Sequence, residues 1–356
     1  MKKVSIVGTV GIPACYGGFE SLVENLTHYN IEESLVEYSV YCSSHSYKDK
    51  KNFYNNAKLI YVPLDANGIS SVLYDVFSLF HCLKTKPDTI LILGVSGCIV
   101  LPIIKKISNS KIITNIDGLE WKRSKWGKLA RIFLKFSEKM AVKYSDVIIA
   151  DNQAIADYLS QHYGVGSEVI AYGGDHAILP NELKNNNAFP HTSKYDLGLC
   201  RIEPENNVEM ILEAYKNANH AIKFIGNWSN SQYGINLKEY YSKFPNIELI
   251  DPIYDVGKLK ILRSNCEIYL HGHSAGGTNP SLVEMMHFSK PIFCYDCAYN
   301  RATTENKAIY FKDADDLLNK IKGFSIHNNS IGQSMRDIAQ KRYVWRIICE
   351  QYGTLY

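Results

Sequence analysis

Four stretches of the chain carry residues whose types and spacing could do chemistry. Between Leu270 and Met286, two histidines, His271 and His273, lead into a loop with Gly276, Gly277, Thr278 and Asn279, then Pro280, Ser281 and Glu284. Thr278, Asn279 and Ser281 fall where a helix would start with unpaired N–H groups, a setting that suits a phosphate. Glu284 falls one turn later, where a carboxylate can take the hydrogen bonds of a pair of sugar hydroxyls. The plain alternative is an N-cap by Asn279 or Ser281 and a solvated glutamate. The density of polar residues and glycine favours a site.

The other three stretches are simpler. From Gly8 to Glu20, a loop with Gly17 and Gly18 lies between a strand and a helix. Such a loop lets backbone amides approach an anion, and a long turn needing left-handed glycines explains it equally well. It is not a dinucleotide fingerprint, because Val10 takes the place of the middle glycine. Arg201 ends an apolar run and could grip a diphosphate in bidentate fashion, or pair with Glu203 or Glu205 at the surface. Asp117 and Glu120 follow a further run and are candidate bases or hydroxyl-positioning groups. Asp151 follows another and could equally be a helix cap.

The elements that must position these groups follow from hydrophobic patterning. Thr89–Leu93 and Lys111–Ile116 are continuous apolar runs, expected of parallel strands covered on both faces. Strands and helices alternate to about residue 172. An irregular stretch follows from 175 to 194, and the alternation then restarts. Two successive β-α series predict an α/β fold of two Rossmann-like parallel-sheet domains. The expected domains are residues 1–172, 173–335, and a terminal helix over 336–356 returning to the first. Motifs at the carboxyl ends of strands carry the chemistry in such sheets.

Composition sets the outer bounds. The chain has 356 residues, 46 % apolar and 21 % charged, which is globular rather than disordered. The longest apolar stretch, 90–104, is broken by Gly94, Gly97 and Pro102 and reads as strand, loop and helix start, so no spanning helix is expected. Nine scattered cysteines with one CxxC, Cys294 and Cys297, offer no zinc spacing. Asp313, Asp315 and Asp316 precede an apolar helical pattern and read as a cap, so no metal is expected. The net charge of +3 sits in residues 1–172, with 19 Lys+Arg against 16 Asp+Glu. Lys122, Arg123, Lys125 and Lys128 open a basic stretch running to Lys143. There Leu129, Ile132, Phe133, Phe136 and Met140 share one stripe. That pattern fits a helix lying on an anionic membrane, or an ordinary surface helix with a solvated basic face. Nothing suggests nucleic acid.

The ordered motifs resemble glycosyltransferase family 4, the retaining two-domain group of GT-B architecture, and within it the bacterial polysaccharide rhamnosyltransferases. The matching segments are G-T-x-G-I-P-A-x-Y-G-G-F-E at Gly8–Glu20, D-G-L-E-W-K-R at Asp117–Arg123 and R-x-x-P-E-N-N at Arg201–Asn207. They continue with G-N-W at Gly226–Trp228, H-G-H-S-x-G-G-T-N-P-S-L-x-E at His271–Glu284 and Y-N-R-x-T-T at Tyr299–Thr304. The resemblance implies two domains facing a cleft and no cofactor or metal. It implies retaining transfer from a nucleoside-diphosphate sugar, dTDP-L-rhamnose, to a lipid-linked sugar acceptor at the inner face of the cell membrane. A UDP-hexose donor, or a sugar-nucleotide epimerase or hydrolase of the same fold, is the alternative. Gly17 and Gly18 would lie under the phosphates and Arg201 would bind the diphosphate. Gly277, Thr278, Asn279 and Ser281 would hold phosphate or sugar, and Glu284 the nucleoside sugar. Asp117 would orient the acceptor hydroxyl. Two departures stand out. Gly276 occupies the place of the first glutamate of the family's E-x7-E motif, which passes its donor-sugar contact to His273. Asn206 or Asn207 replaces the lysine that usually follows the arginine.

Overall fold

A computed structural model gives the fold and describes residues 1–15, 17–33, 35–68, 70–123, 126–178, 194–325 and 330–356. Lys125 and most of the irregular stretch expected as a linker lie outside the described residues. The chain divides into two compact units, one of Met1–Tyr172 with Trp345–Tyr356, the other of Gly173–Val344.

The first unit runs β1 (Lys2–Val7), α1 (Gly18–Glu33), β2 (Val36–Ser43), β3 (Phe53–Tyr54), β4 (Ala57–Val62), α2 (Ser70–Thr85) and β5 (Thr89–Leu93). It continues with α3 (Leu101–Ile107), β6 (Lys111–Ile116), α4 (Lys128–Tyr144), β7 (Val147–Ala150), α5 (Gln153–Tyr163) and β8 (Glu168–Val169). Its strands form one sheet in the order β3-β4-β2-β1-β5-β6-β7-β8. The apolar runs behave as their composition demands, and every residue of β5 is buried. One pairing departs from the parallel expectation: β3 runs antiparallel to β4, with Phe53 opposite Lys58 and Tyr54 opposite Ala57. The cause is local. Asn55 and Asn56 sit between them with φ of 46° and 59°, the left-handed pair that closes a two-residue hairpin.

The second unit runs β9 (Asp196–Leu199), α6 (Val208–Lys216), β10 (Ile222–Ile225), α7 (Gln232–Tyr241), β11 (Ile247–Ile250), α8 (Val256–Asn265) and β12 (Tyr269–His271). It ends with α9 (Pro280–Met286), β13 (Ile292–Tyr295), α10 (Ala298–Thr303), β14 (Ile309–Phe311), α11 (Ala314–Gly323) and α12 (Ser330–Arg342). The sheet order is β11-β10-β9-β12-β13-β14, and every pairing is parallel. Strand order reverses direction between β9 and β12, and that reversal is where ligands of open α/β sheets bind. Trp228 of the G-N-W motif is fully buried in the core beside Phe224 and donates its Nε1–H to the Ile250 carbonyl (3.0 Å). That motif is a packing element.

The last helix, α13 (Trp345–Leu355), belongs to the first unit, whereas α12 stays with the second. The segment that returns is therefore shorter than 336–356. It packs on α1. Tyr352 is buried and accepts the Asn115 Nδ2–H (2.6 Å), and Tyr356 meets the Tyr38 hydroxyl (3.2 Å). These contacts join the C-terminal segment to β6 and β2. Replacing Tyr352 with alanine should destabilise the first unit by about 3–5 kcal/mol through the cavity left by a buried ring. Tyr352→Phe, which only strands the Asn115 donor, should cost roughly 1–3 kcal/mol. Urea unfolding followed by circular dichroism checks the order; equal midpoints for wild type and Tyr352→Ala would refute the anchoring role.

Candidate functional site

In the second unit the candidate residues gather at the reversal between β9 and β12. Arg201 follows β9, and His271 ends β12. The two loops are knitted by their backbones. Ser274 donates its N–H (3.0 Å) and its hydroxyl (2.8 Å) to the Glu205 carbonyl. Asn207 Nδ2–H reaches the Gly272 carbonyl (2.8 Å), and Asn206 Nδ2–H returns to the Arg201 carbonyl (2.8 Å). Gly272 is obligatory there, since a Cβ would stand 2.1 Å from the Asn206 carbonyl oxygen. Of the two asparagines that stand in the place of the expected lysine, Asn207 ties the two loops together and Asn206 braces its own. Arg201 itself is half exposed, with Nη1 3.7 Å from Glu203 Oε1. Its guanidinium makes no other ion pair among the described residues.

His271 and His273 stack with ring centroids 4.3 Å apart and planes 14° from parallel. Alternate residues of an extended segment share a face, which is why an H-x-H at a strand end can stack. His271 is buried, neither ring nitrogen has a hydrogen-bond partner among the described residues, and burial pushes its pKa down to about 3. It is a neutral imidazole. The His273 carbonyl accepts the Asn300 Nδ2–H (2.9 Å), so the Y-N-R motif supports this loop from α10.

The start of α9 corrects the expectation of unpaired amides. Asn279 is the N-cap: its Oδ1 accepts the Ser281 N–H (3.0 Å) and the Ser281 hydroxyl (2.7 Å), while Tyr269 donates its hydroxyl to Ser281 Oγ (3.2 Å). Thr278 is buried beside it and Gly277 half-buried. Asp313 caps α11, as its pattern suggested. Among the described residues, Asp196, His220 and Glu267 could together hold a metal ion. They stand at the amino-terminal ends of the strands, away from this loop. There Asp196 already accepts Tyr215 O–H (2.6 Å) and Ile268 N–H (3.1 Å).

Glu284 is not a solvated glutamate. Its carboxylate pairs with Arg263 of α8 and lies 3.3 Å from His176 Nε2. Burial alone would raise this carboxyl, but Arg263 and His176 outweigh burial and hold it below the usual range. Neither partner was singled out from the sequence. Arg263 sits in an unremarkable helix 21 residues away, and His176 in a turn with no pattern of its own.

In the first unit, the candidate carboxylates collect at the carboxyl ends of the strands. Asp117 follows β6 half-buried, Asp151 follows β7 fully buried, and Glu20 lies buried in the first turn of α1. Burial raises the Tyr172 hydroxyl, and the charges of Asp117, Asp151 and Glu20 raise it further. Asp151 is not a cap; Asn152 caps α5 by accepting the Ala154 N–H (2.9 Å). Gly17 has φ of 100°, and Gly18 opens α1. Two amides of this loop are already taken, Val10 by Glu20 Oε1 (2.7 Å) and Ala14 by Glu24 Oε2 (2.7 Å).

Glu120 has a holding role. It accepts Trp126 Nε1–H (3.0 Å) and Arg123 Nη1–H (3.2 Å). Trp121 donates Nε1–H to Glu138 of α4 (3.1 Å), whose carboxylate also takes the Tyr158 (2.9 Å) and Tyr163 (2.7 Å) hydroxyls. Lys122 and Arg123 lie in this turn, ahead of the helix, whereas Lys128, Arg131, Lys135, Lys139 and Lys143 of the basic stretch are on α4. Of the expected stripe, Leu129, Ile132 and Phe136 are exposed, while Phe133 and Met140 are half-buried.

Residues 1–175 match a family model described as a domain of unknown function (DUF1972). No curated protein matches the chain in sequence. Among solved structures, the chain is similar to the sucrose-phosphate synthase of Thermosynechococcus elongatus, with a TM-score of 0.83 and 15 % identity over 100 % of this chain and 98 % of that one. It is similar to HepE of Anabaena in complex with UDP-glucose, at 0.74 and 13 % identity over 99 % of both chains. A glycosyltransferase from Rickettsia africae ESF-5 gives 0.74 and 13 % over 100 % of this chain and 97 % of that one. These likenesses establish the architecture, two parallel-sheet α/β domains of the GT-B kind.

Removing Arg263 tests the buried pair. Arg263→Ala should cost about 1–3 kcal/mol at neutral pH, because it leaves the half-buried Glu284 charged with only His176 beside it. The carboxyl is depressed in the fold, so the pair's contribution is complete above about pH 5 and is lost as pH falls through the lowered value. Urea titrations should therefore show wild type and variant converging in acid; a gap that widens there would overturn the assignment.

Proposed function

We propose that the chain is a glycosyltransferase that moves a sugar with retention from a nucleoside-diphosphate sugar to a lipid-linked sugar acceptor at the inner face of the cell membrane. The observation that carries the reading is the second unit's site. A half-exposed arginine, a stacked histidine pair of which His271 is neutral, and a half-buried, cation-paired glutamate converge at the sheet's reversal point. The motif resemblance and the UDP-glucose bound by HepE, at the same architecture, support it. The donor is dTDP-L-rhamnose, on the strength of the motifs alone. The UDP and UDP-glucose complexes of HepE favour a UDP-hexose as the second reading.

In this reading Arg201 meets the charge of the departing diphosphate, a preorganised electrostatic contribution that needs no metal. His273 and Thr278 line the donor sugar's surroundings, and Glu284, oriented by Arg263 and His176, receives ribose hydroxyls. Asp117 orients the acceptor hydroxyl, and Glu120 holds the turn that follows it. Gly17 and Gly18 remain the candidates of the first unit for the phosphates. Lys122, Arg123 and Lys128 belong to the membrane side.

Incubation with a panel of dTDP- and UDP-sugars and a lipid-diphosphate sugar acceptor should yield one extended product, its anomeric configuration matching the donor by NMR, with turnover unchanged in excess EDTA. Free sugar or an epimerised nucleotide as the only product would replace transfer with hydrolysis or epimerisation. Turnover lost in EDTA and restored by magnesium would overturn the metal-free reading. Arg201→Ala should weaken donor binding about ten- to a hundredfold, as expected for losing a charge-assisted contact of roughly 1.5–3 kcal/mol. Unchanged affinity by calorimetry would move the diphosphate elsewhere.

A further inference from the structure

Three helices of the first unit present an outer face that the fold does not account for. Right-handed crossovers put α2, α3 and α4 on one side of the first sheet, where they pack side by side, and α1 with α13 on the other. Each of the three has a well-formed inner side, such as Tyr74 and Leu79 of α2, Leu101 and Ile104 of α3, and Leu134 and Ala141 of α4. An amphipathic surface helix would be polar on the opposite side. Instead α2 exposes Leu73 (63 %) and Phe77, and α3 exposes Ile103 and Ile107 (64 %). Leu129 (84 %), Ile132 and Phe136 do the same on α4. With Phe80, eight of the fifteen large apolar side chains exposed among the described residues lie on these three helices. Single exposed leucines need no explanation, but a gathering of this kind does.

The charge on this face is of one sign. The only acidic residues of the three helices, Asp75 and Glu138, are buried. Lys84, Lys106, Lys128, Arg131, Lys135 and Lys139 are all exposed. Of the flanking acids, Asp146 is held by Lys105 (2.6 Å) and Asp88 accepts the Lys3 N–H (2.8 Å). Two copies meeting through this face would oppose cation to cation, which disfavours self-pairing. None of the described helices is long and apolar enough to cross a membrane.

We propose that the joint face of α2, α3 and α4 docks on anionic phospholipid, with the apolar side chains entering the headgroup boundary and the lysines and Arg131 meeting lipid phosphates. This deepens the proposed function and rests on its lipid-linked acceptor. It enlarges the single basic helix legible in the sequence to a surface of three helices, two of them from outside the basic stretch.

Co-sedimentation with phosphatidylcholine vesicles, with and without phosphatidylglycerol, tests it. Wild type should bind the phosphatidylglycerol vesicles at low salt, release them at high salt, and bind phosphatidylcholine alone weakly. Leu73→Gln/Phe77→Gln on α2 should weaken binding roughly tenfold, as should Ile132→Gln/Phe136→Gln on α4. Lys106→Glu/Lys139→Glu should weaken it at low salt. All six positions are exposed, so thermal midpoints should hold, and transfer to a soluble acceptor analogue should be unchanged. Failure of wild type to sediment with phosphatidylglycerol vesicles would overturn the proposal. So would α2 variants that bind as wild type does, or light scattering showing a dimer that the variants disperse. Vesicle binding without any sugar transfer would leave the surface standing and overturn the function; transfer without vesicle binding would do the reverse.

Discussion

A carboxylate taken out of water must be met by donors or cations, because leaving it unanswered costs several kcal/mol. This chain buries Glu138 and Glu20 and half-buries Glu284, and each draws in groups from other segments of the sequence. Glu284 ties α9 to α8 through Arg263 and to the turn at Asp175–Ile178 through His176. Glu138 ties α4 to Trp121 and to α5 through Tyr158 and Tyr163. Glu20 ties α1 back to Thr9 (2.9 Å) and Val10 (2.7 Å) in the loop after β1. In each case the segment held is one that carries candidate chemistry. Such a segment cannot swing away without exposing its carboxylate's need for partners, so its geometry is fixed before a ligand arrives. Preorganisation of that kind is what an electrostatic site requires.

Parallel sheets decide where those segments stand. In both units every candidate group lies at or just beyond the carboxyl ends of strands, since each right-handed crossover returns the chain to the same edge. In the second unit the loops after β9 and β12 then become neighbours. Their mutual approach is close enough that Gly272 has no substitute with a side chain, and Asn207 takes up the Gly272 carbonyl. The site's polar loops are therefore also structural, and part of their motif content holds the loops to each other.

Much of this was legible in the chain. The buried parallel strands announce themselves as unbroken apolar runs, and Thr89–Leu93 and Lys111–Ile116 form β5 and β6 with those bounds. Motif order identified the architecture, and Asn279 and Asp313 were recognisable as caps because capping is a contact between residues two or three apart. The two-residue edge strands β3 and β8 escaped, being too short to show a period, although the asparagine pair between β3 and β4 was a usable hairpin signal. Helix α7 escaped as well; its buried Gly234, Leu237 and Tyr241 mark too thin a stripe to stand out.

The sequence by itself determined what is set by neighbours along the chain: the strands, most helices, the caps, the two-unit α/β class and the positions of polar residues at strand ends. The tertiary structure decided which of those polar residues remain available to a ligand. Arg263 and His176 reach Glu284 only because α8, α9 and a turn far from both pack together, and burial rather than spacing makes His271 a neutral imidazole. It also decided that apolar residues of α2 and α3 join those of α4 on one exposed face. Helical phase can say that a stripe exists, but only the packing of the sheet's other side chains determines whether that stripe turns inward or is left facing out.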